Sequence, residues 1–201
     1  MFTSVKCSDG KYRCSWCNQT PEYLHYHDTE WGFPQASDQS LFEKICLEGF
    51  QSGLSWRTIL AKRQDFRRVF NNFELEKVAR FQAHDIERLL QDASIIRHRG
   101  KIEATINNAR RAQELIAEEG SLARYIWRYE PTNAQALRPL MATSPESIAL
   151  SKDLKKRGWK FVGPTTLYAF MQSLGLVNDH AQDCVIRAQV KAARSRFELP
   201  T

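Results

Sequence analysis

Apolar residues recur at three- and four-residue intervals through most of the chain, and that spacing predicts helices. Ser37 or Asp38 can cap a helix carrying Leu41, Phe42, Ile45 and Cys46 on one face and ending near Gly49 to Gly53. A second runs from about Ser55 to Phe70 with Trp56, Ile59, Leu60, Phe66 and Val69 turned inward. Short amphipathic pieces follow at 74–80 and 83–91, then a long helix from Lys101 to Glu118 that Gly120 stops. Pro131, Pro139 and Pro145 mark 129–145 as an irregular connection before a helix over 145–157, and two more occupy 164–174 and 182–195. No period-2 alternation competes and no internal repeat is visible, so the pattern predicts an all-α fold in two helical lobes.

Composition narrows the class. A chain of 201 residues with 42% hydrophobic content can bury one sizeable core, or two small lobes sharing a cleft. No apolar run approaches the ~18–20 residues that span a bilayer, and the opening MFTSVKCSDGKYRC has no apolar signal core, so no membrane partner and a cytoplasmic location are expected. The 29 lysines and arginines exceed the 23 acidic residues by 6, concentrated in RQDFRR, RHRGK and KDLKKRGWK. Such patches suit a polyanion, although solvated helix faces carry similar charge. Five cysteines, an odd number, argue against a disulfide framework and leave metal binding or packing.

Three stretches carry chemistry. In VNDHAQDC, His180 and Cys184 stand four apart, on one face if the segment is helical, and make half of a tetrahedral metal site. RCSWCNQTPEYLHYHDTEWG offers Cys14, Cys17, His25 and His27 for the other half, and spacing alone favours Cys14 with Cys17. In LKKRGWKFVGPTTLYAF, a helix ending at Gly158, a short hairpin and a helix opened by Gly163, Pro164 and Thr165 form a helix-hairpin-helix pattern. Free N–H groups at that helix start, with Lys155, Lys156, Arg157 and Lys160 around them, suit one DNA phosphate. In ICLEGFQSGLSW, Glu48 falls between Leu41 and Ile45 on the apolar face, where an ionised carboxylate is expensive unless paired or useful. Trp16, Tyr26, Trp31 and Trp56 lie outside helix interiors or at helix starts, and aromatics with a carboxylate suit a flat, cationic ligand.

The strings YHDTEWGFP, LFEKICLEGFQSGLSW, IIRHRGKIEATINNAR, LKKRGWKFVG and GLVNDH resemble those of bacterial 3-methyladenine DNA glycosylase I, a branch of the helix-hairpin-helix DNA glycosylases. The resemblance covers Arg13 to Cys184, with a basic tail over 185–201, and implies a single glycosylase domain over 1–201. It implies an enzyme, acting as a monomer on alkylated double-stranded DNA, that flips out N3-methyladenine, hydrolyses its glycosidic bond and leaves an abasic site. It places one structural Zn²⁺ on Cys14, His27, His180 and Cys184, in place of Cys17 and His25. The base-meeting carboxylate falls on Glu48, with Tyr26 and Trp56 in contact and Trp16 nearby, and Trp31 joins the aromatic set. The wedge falls on Gly53 and Leu54, and the strand grip on Gly158, Lys160, Gly163 and Thr165. Asp179 sits where related glycosylases carry a water-activating aspartate, but beside His180 it reads as a supporting or capping residue. No lysine occupies a Schiff-base position, so a monofunctional hydrolase is expected. A zinc-stabilised DNA-binding module without catalysis would use the same hairpin but has no need of Glu48.

Overall fold

The computed structural model describes residues 2–137 and 139–200. The chain is mostly helical but not wholly so. It opens with two three-residue strands, β1 (Ser4–Lys6) and β2 (Tyr12–Cys14), paired antiparallel with Ser4 opposite Cys14. Three residues are too few for alternation to be read, which is why the all-α expectation missed them. A single 3-10 turn, Ser15–Cys17, leads to α1 (Pro21–Thr29), which the apolar pattern also missed. Its start is chemically ordinary: the Thr20 side chain accepts the Tyr23 N–H and Pro21 occupies the first turn.

Nine further helices follow: α2 (Asp38–Gln51), α3 (Trp56–Ala61), α4 (Arg63–Val69), α5 (Leu75–Ala79), α6 (Ala83–Gln91), α7 (Arg99–Glu119), α8 (Leu122–Trp127), α9 (Pro145–Lys156) and α10 (Pro164–Ser173). The last helix is α11 (Val185–Arg196). The single helix expected over 55–70 is two, broken at Lys62, with no glycine or proline to signal the break. The expected basic tail is largely α11, whose Ile186 and Val190 are buried.

Helix α2 organises the centre, packing against α3, α7, α8 and α10. The main core draws on Leu41, Phe42, Phe50, Phe66, Phe70, Ile102, Leu150, Leu167 and Phe170, all essentially inaccessible. A smaller cluster joins the two ends of the chain: Cys14, Tyr23, Tyr26 and Trp31 pack with Ala181, Cys184, Ile186 and Val190. The clusters meet at Trp56. Gly175, at φ +77°, makes this junction possible, because a Cβ there would lie 2.2 Å from the Gly32 carbonyl oxygen. The end of α10 is thereby pressed against the segment that carries Trp31.

Between α9 and α10 the chain makes a tight hairpin. Gly158 takes the left-handed conformation at φ +82° and the Trp159 N–H returns to the Leu154 carbonyl at 3.0 Å, closing α9. The Asn108 side chain pairs with both backbone groups of Lys160, its oxygen accepting from N–H and its amide donating to C=O, each at 2.9 Å. Gly163 starts α10 with no side-chain cap. Phe161, also left-handed at φ 55° and 39% exposed, packs so near Gly49 on α2 that a Cβ added there would lie 3.4 Å from the Phe161 Cβ.

Candidate active site

Helices α1, α2, α3 and α10 surround a cavity of about 230 Å³ lined by Phe2, Trp16, Tyr23, Tyr26, Trp31, Glu48, Gln51, Trp56, Ala169 and Gln172. It is smaller than the ~300–1,000 Å³ of pockets for drug-sized ligands and suits a single ring system. Tyr26 and Trp56 stand 5.5 Å apart between ring centroids, and Trp16 meets Tyr23 and Trp31 at 5.0 Å each. The indole N–H groups of Trp16 and Trp56 are buried without an acceptor among the described residues.

Glu48 supplies the cavity's carboxylate. It is only 5% exposed, because α2 presents its apolar face there, and burial pushes its carboxyl up to about 8, opposed only by the charge of Lys44 one helical turn away. No protein hydrogen bond to this carboxylate is found among the described residues, so apart from the charge of Lys44 nothing there offsets the desolvation. A buried acid without a partner, walled by aromatics, is the kind of group that structures retain for a ligand.

On the far side of Trp16 and Trp31 the chain ends converge. Cys14, His27, His180 and Cys184 are all buried and form a group that can hold a metal ion, with their ligand atoms all within 4.8 Å of one another. His27 Nε2 lies 3.2 Å from His180 Nδ1 and 3.5 Å from Cys184 Sγ, while Cys14 Sγ and Cys184 Sγ lie 3.7 and 3.6 Å from His180 Nδ1. Each outward ring nitrogen is occupied: His27 Nδ1 pairs with the Asp28 carboxylate at 2.8 Å and His180 Nε2 with the Trp31 carbonyl at 3.1 Å. Those acceptors fix the tautomers so that both inward nitrogens present lone pairs. Cys184 is held below the ordinary thiol range, chiefly by the hydrogen bond from Cys14.

The pairing of Cys14 with Cys17 suggested by spacing is not formed. The Cys17 thiol donates to the Cys14 carbonyl at 3.0 Å, and His25 is exposed. His180 and Cys184 meet through a turn, not a helix, since α11 begins only at Val185 and Cys184 caps it.

The structure thus brings Trp16, Tyr26, Trp31, Glu48 and Trp56 to one cavity. Gly53 and Leu54 form an exposed turn after α2, Gly53 at φ +80° and Leu54 42% exposed. Lys101 clamps that turn from α7, donating to the Phe50 and Ser52 carbonyls at 2.9 and 2.5 Å. Gly158, Lys160, Gly163 and Thr165 lie on the separate α9–α10 hairpin. Sequence reasoning missed Phe2, Tyr23, Gln51, Ala169 and Gln172. Tyr23 alone carried a signal, one helical turn before Tyr26; the others reach the cavity through tertiary packing.

Fold and cavity together define a helical protein with an aromatic-walled cavity of the size for one flat ring system and a buried acid in its lining. Residues 16–188 match the methyladenine glycosylase family, and the chain belongs to that family. It is 49% identical over 177 residues to DNA-3-methyladenine glycosylase 1 of Escherichia coli (strain K12), covering 86% of this chain and 95% of that protein. It is 46% identical over 179 residues to DNA-3-methyladenine glycosylase of Haemophilus influenzae (strain ATCC 51907 / DSM 11121 / KW20 / Rd), covering 86% and 96%. Among solved structures it is similar to 3-methyladenine DNA glycosylase I from Staphylococcus aureus, described as the structural basis of 3-methyladenine recognition. That match has a TM-score of 0.82 and 36% identity, covering 87% of this chain and 95% of that one.

Proposed function

We propose that the protein is a monofunctional DNA-3-methyladenine glycosylase that acts in base-excision repair on alkylated duplex DNA. The observation that carries the reading is the unpartnered Glu48 carboxyl in an aromatic cavity sized for one ring system. Methylation at N3 gives the base a positive charge, so bond breaking at the sugar releases a good leaving group. Water bonds to C1′ and gives its proton to solvent, the C1′–N9 pair leaves with the base, and the base departs neutral. Glu48 accepts hydrogen bonds from the flipped base, and its ionised form favours the cationic one; Tyr26, Trp56, Trp16 and Trp31 wall the ring and exclude bulkier purines. Leu54 fills the vacated stack, with Gly53 shaping its turn. The α9–α10 segment serves as the helix-hairpin-helix grip, where the uncapped start of α10 at Gly163 and Thr165 meets a phosphate, with Lys160 and the Gly158 turn beside it.

Cys14, His27, His180 and Cys184 would hold one structural Zn²⁺. Bonds of about 2.0 Å to nitrogen and 2.3 Å to sulfur give tetrahedral edges of about 3.3–3.8 Å; four of the six ligand-atom separations, at 3.2–3.7 Å, match that figure, and all six lie within 4.8 Å. The ion supplies a cross-link between the chain's ends. The residues flanking its ligands, Trp16 and Tyr26, are cavity walls, so the cross-link shapes the site as well as the fold.

Chromatography of bases released from methylated duplex DNA tests the reading. Wild type is expected to release 3-methyladenine but not 7-methylguanine, and Glu48→Ala to lose release while staying folded. Folded, metal-loaded wild type that releases nothing overturns it and leaves a DNA-binding module.

A further inference from the structure

Besides Glu48, the cavity lining includes a buried amide. Gln172, on α10, lines the cavity together with Glu48 of α2, against which α10 packs, and is 8% exposed. Its amide nitrogen donates to Asp179 Oδ2 at 2.8 Å, and the same oxygen accepts from the Tyr168 hydroxyl at 2.7 Å. A carboxylate oxygen has no hydrogen to give, so this contact fixes which way the Gln172 amide is turned. That contact uses one of the nitrogen's two hydrogens, and no donor to the carbonyl oxygen is found among the described residues, which leaves that oxygen available as an acceptor.

Building on the glycosylase reading, we propose that Gln172 is a specificity-determining residue: its fixed carbonyl oxygen reads the exocyclic 6-amine of the damaged purine. An amine carries two N–H groups and needs two acceptors; Glu48 takes one and Gln172 the other. A 6-oxopurine such as 3-methylguanine has an oxygen at that position and sets it against the Gln172 oxygen, with no hydrogen between them. Sites built to pair a polar group reject analogues lacking it far more strongly than apolar sites reject by shape. Asp179 then has a role at one remove. It is a positioning residue, because without its carboxylate the Gln172 amide is free to turn over and offer N–H groups to a 6-oxygen.

The experiment measures excision rates of 3-methyladenine and 3-methylguanine from one preparation of methylated duplex DNA, for wild type, Gln172→Met, Asp179→Asn and Asp179→Ala. Metal content and circular dichroism are measured on each protein. Gln172→Met is expected to lower the ratio of 3-methyladenine to 3-methylguanine excision by roughly tenfold or more. Asp179→Ala is expected to lower it similarly. Asp179→Asn is expected to preserve it, because the asparagine oxygen can take both donors. The Asp179 pair supplies the test even if Gln172→Met fails to fold. An unchanged ratio in folded Gln172→Met or Asp179→Ala overturns the proposal, as does an equal loss for both bases, which a structural role would give. Wild type that excises no base at all would instead sink the glycosylase reading, and this inference with it.

Discussion

Glu48 makes the cavity's chemistry measurable through pH. In water a glutamate loses its proton near 4.5; in the cavity burial holds it to about 8. At 1.36 kcal/mol per unit, ionising it there costs about 5 kcal/mol more than in water, and at pH 7 about 1.4 kcal/mol is still outstanding. Roughly one molecule in ten is therefore in the ionised form at neutral pH. If that form is the one that receives a cationic base, the apparent affinity is reduced by the same factor. The kcat/KM for 3-methyladenine excision should then rise close to tenfold per unit from pH 5 towards pH 7 and level off near pH 8, since this quantity reports the free enzyme. Glu48→Gln should flatten that limb and lie at least roughly tenfold below wild type at pH 8. Stability runs the opposite way. The unfolded chain loses this proton near 4.5 and the folded one near 8, so the contribution is present below pH 4.5 and lost as pH rises to 8. Chemical denaturation at pH 5 and pH 8 should therefore show Glu48→Gln gaining on wild type at the higher pH. A wild-type rate that is flat between pH 5 and 8, or a rise that survives in Glu48→Gln, would refute the reasoning.

Other perturbations separate the parts. Cys184→Ser or His27→Ala should abolish stoichiometric zinc in elemental analysis and lower the melting temperature sharply, whereas Cys17→Ser should retain the metal. Leu54→Ala, at an exposed turn, should change stability by no more than about 0.5 kcal/mol in a denaturation curve yet slow single-turnover excision, because the stack is no longer filled. Lys101→Met should lower stability by about 1–3 kcal/mol by leaving two carbonyls unpaired, and should blunt the fluorescence change of a base analogue placed beside the lesion. Gly175→Ala should lose more than about 3 kcal/mol in urea unfolding, since its methyl would collide with the Gly32 carbonyl.

Most of the helices could be read from spacing because their signals are local. The Ser37 cap, the stripe from Leu41 to Cys46, Gly120 after α7 and Pro145 at the start of α9 each act within one turn. The N-terminal strands could not be read so, nor could α8, whose six residues are too short to show a period. Glu48 stood out because a charge on an apolar face is a local contradiction. Gln172 did not, since an amide on α10 becomes informative only once Asp179 and the cavity are beside it. The metal-candidate group was half legible: four-residue spacing picked out His180 and Cys184, while C-x-x-C spacing chose Cys17 where the fold uses His27. His27 is selected by the direction in which α1 points it, towards a segment 153 residues away.

That distance has a bearing on the order in which the molecule can be assembled. Cys14 and His180 are 166 residues apart, and Trp31 is positioned through its carbonyl's contact with His180. During synthesis the hairpin from α9 to α10 leaves the ribosome before the segment carrying His180, which packs behind the Trp31 wall of the cavity. A prematurely ended or proteolytically clipped chain lacking residues from 180 onward would keep the hairpin's sequence and lose the His180 contact that positions Trp31. Closing so long a loop adds little entropy over a shorter one, since the cost grows only with the logarithm of length. The arrangement thus makes the support of the aromatic wall the last thing completed, and on the proposed reading partial chains would have the grip without the chemistry.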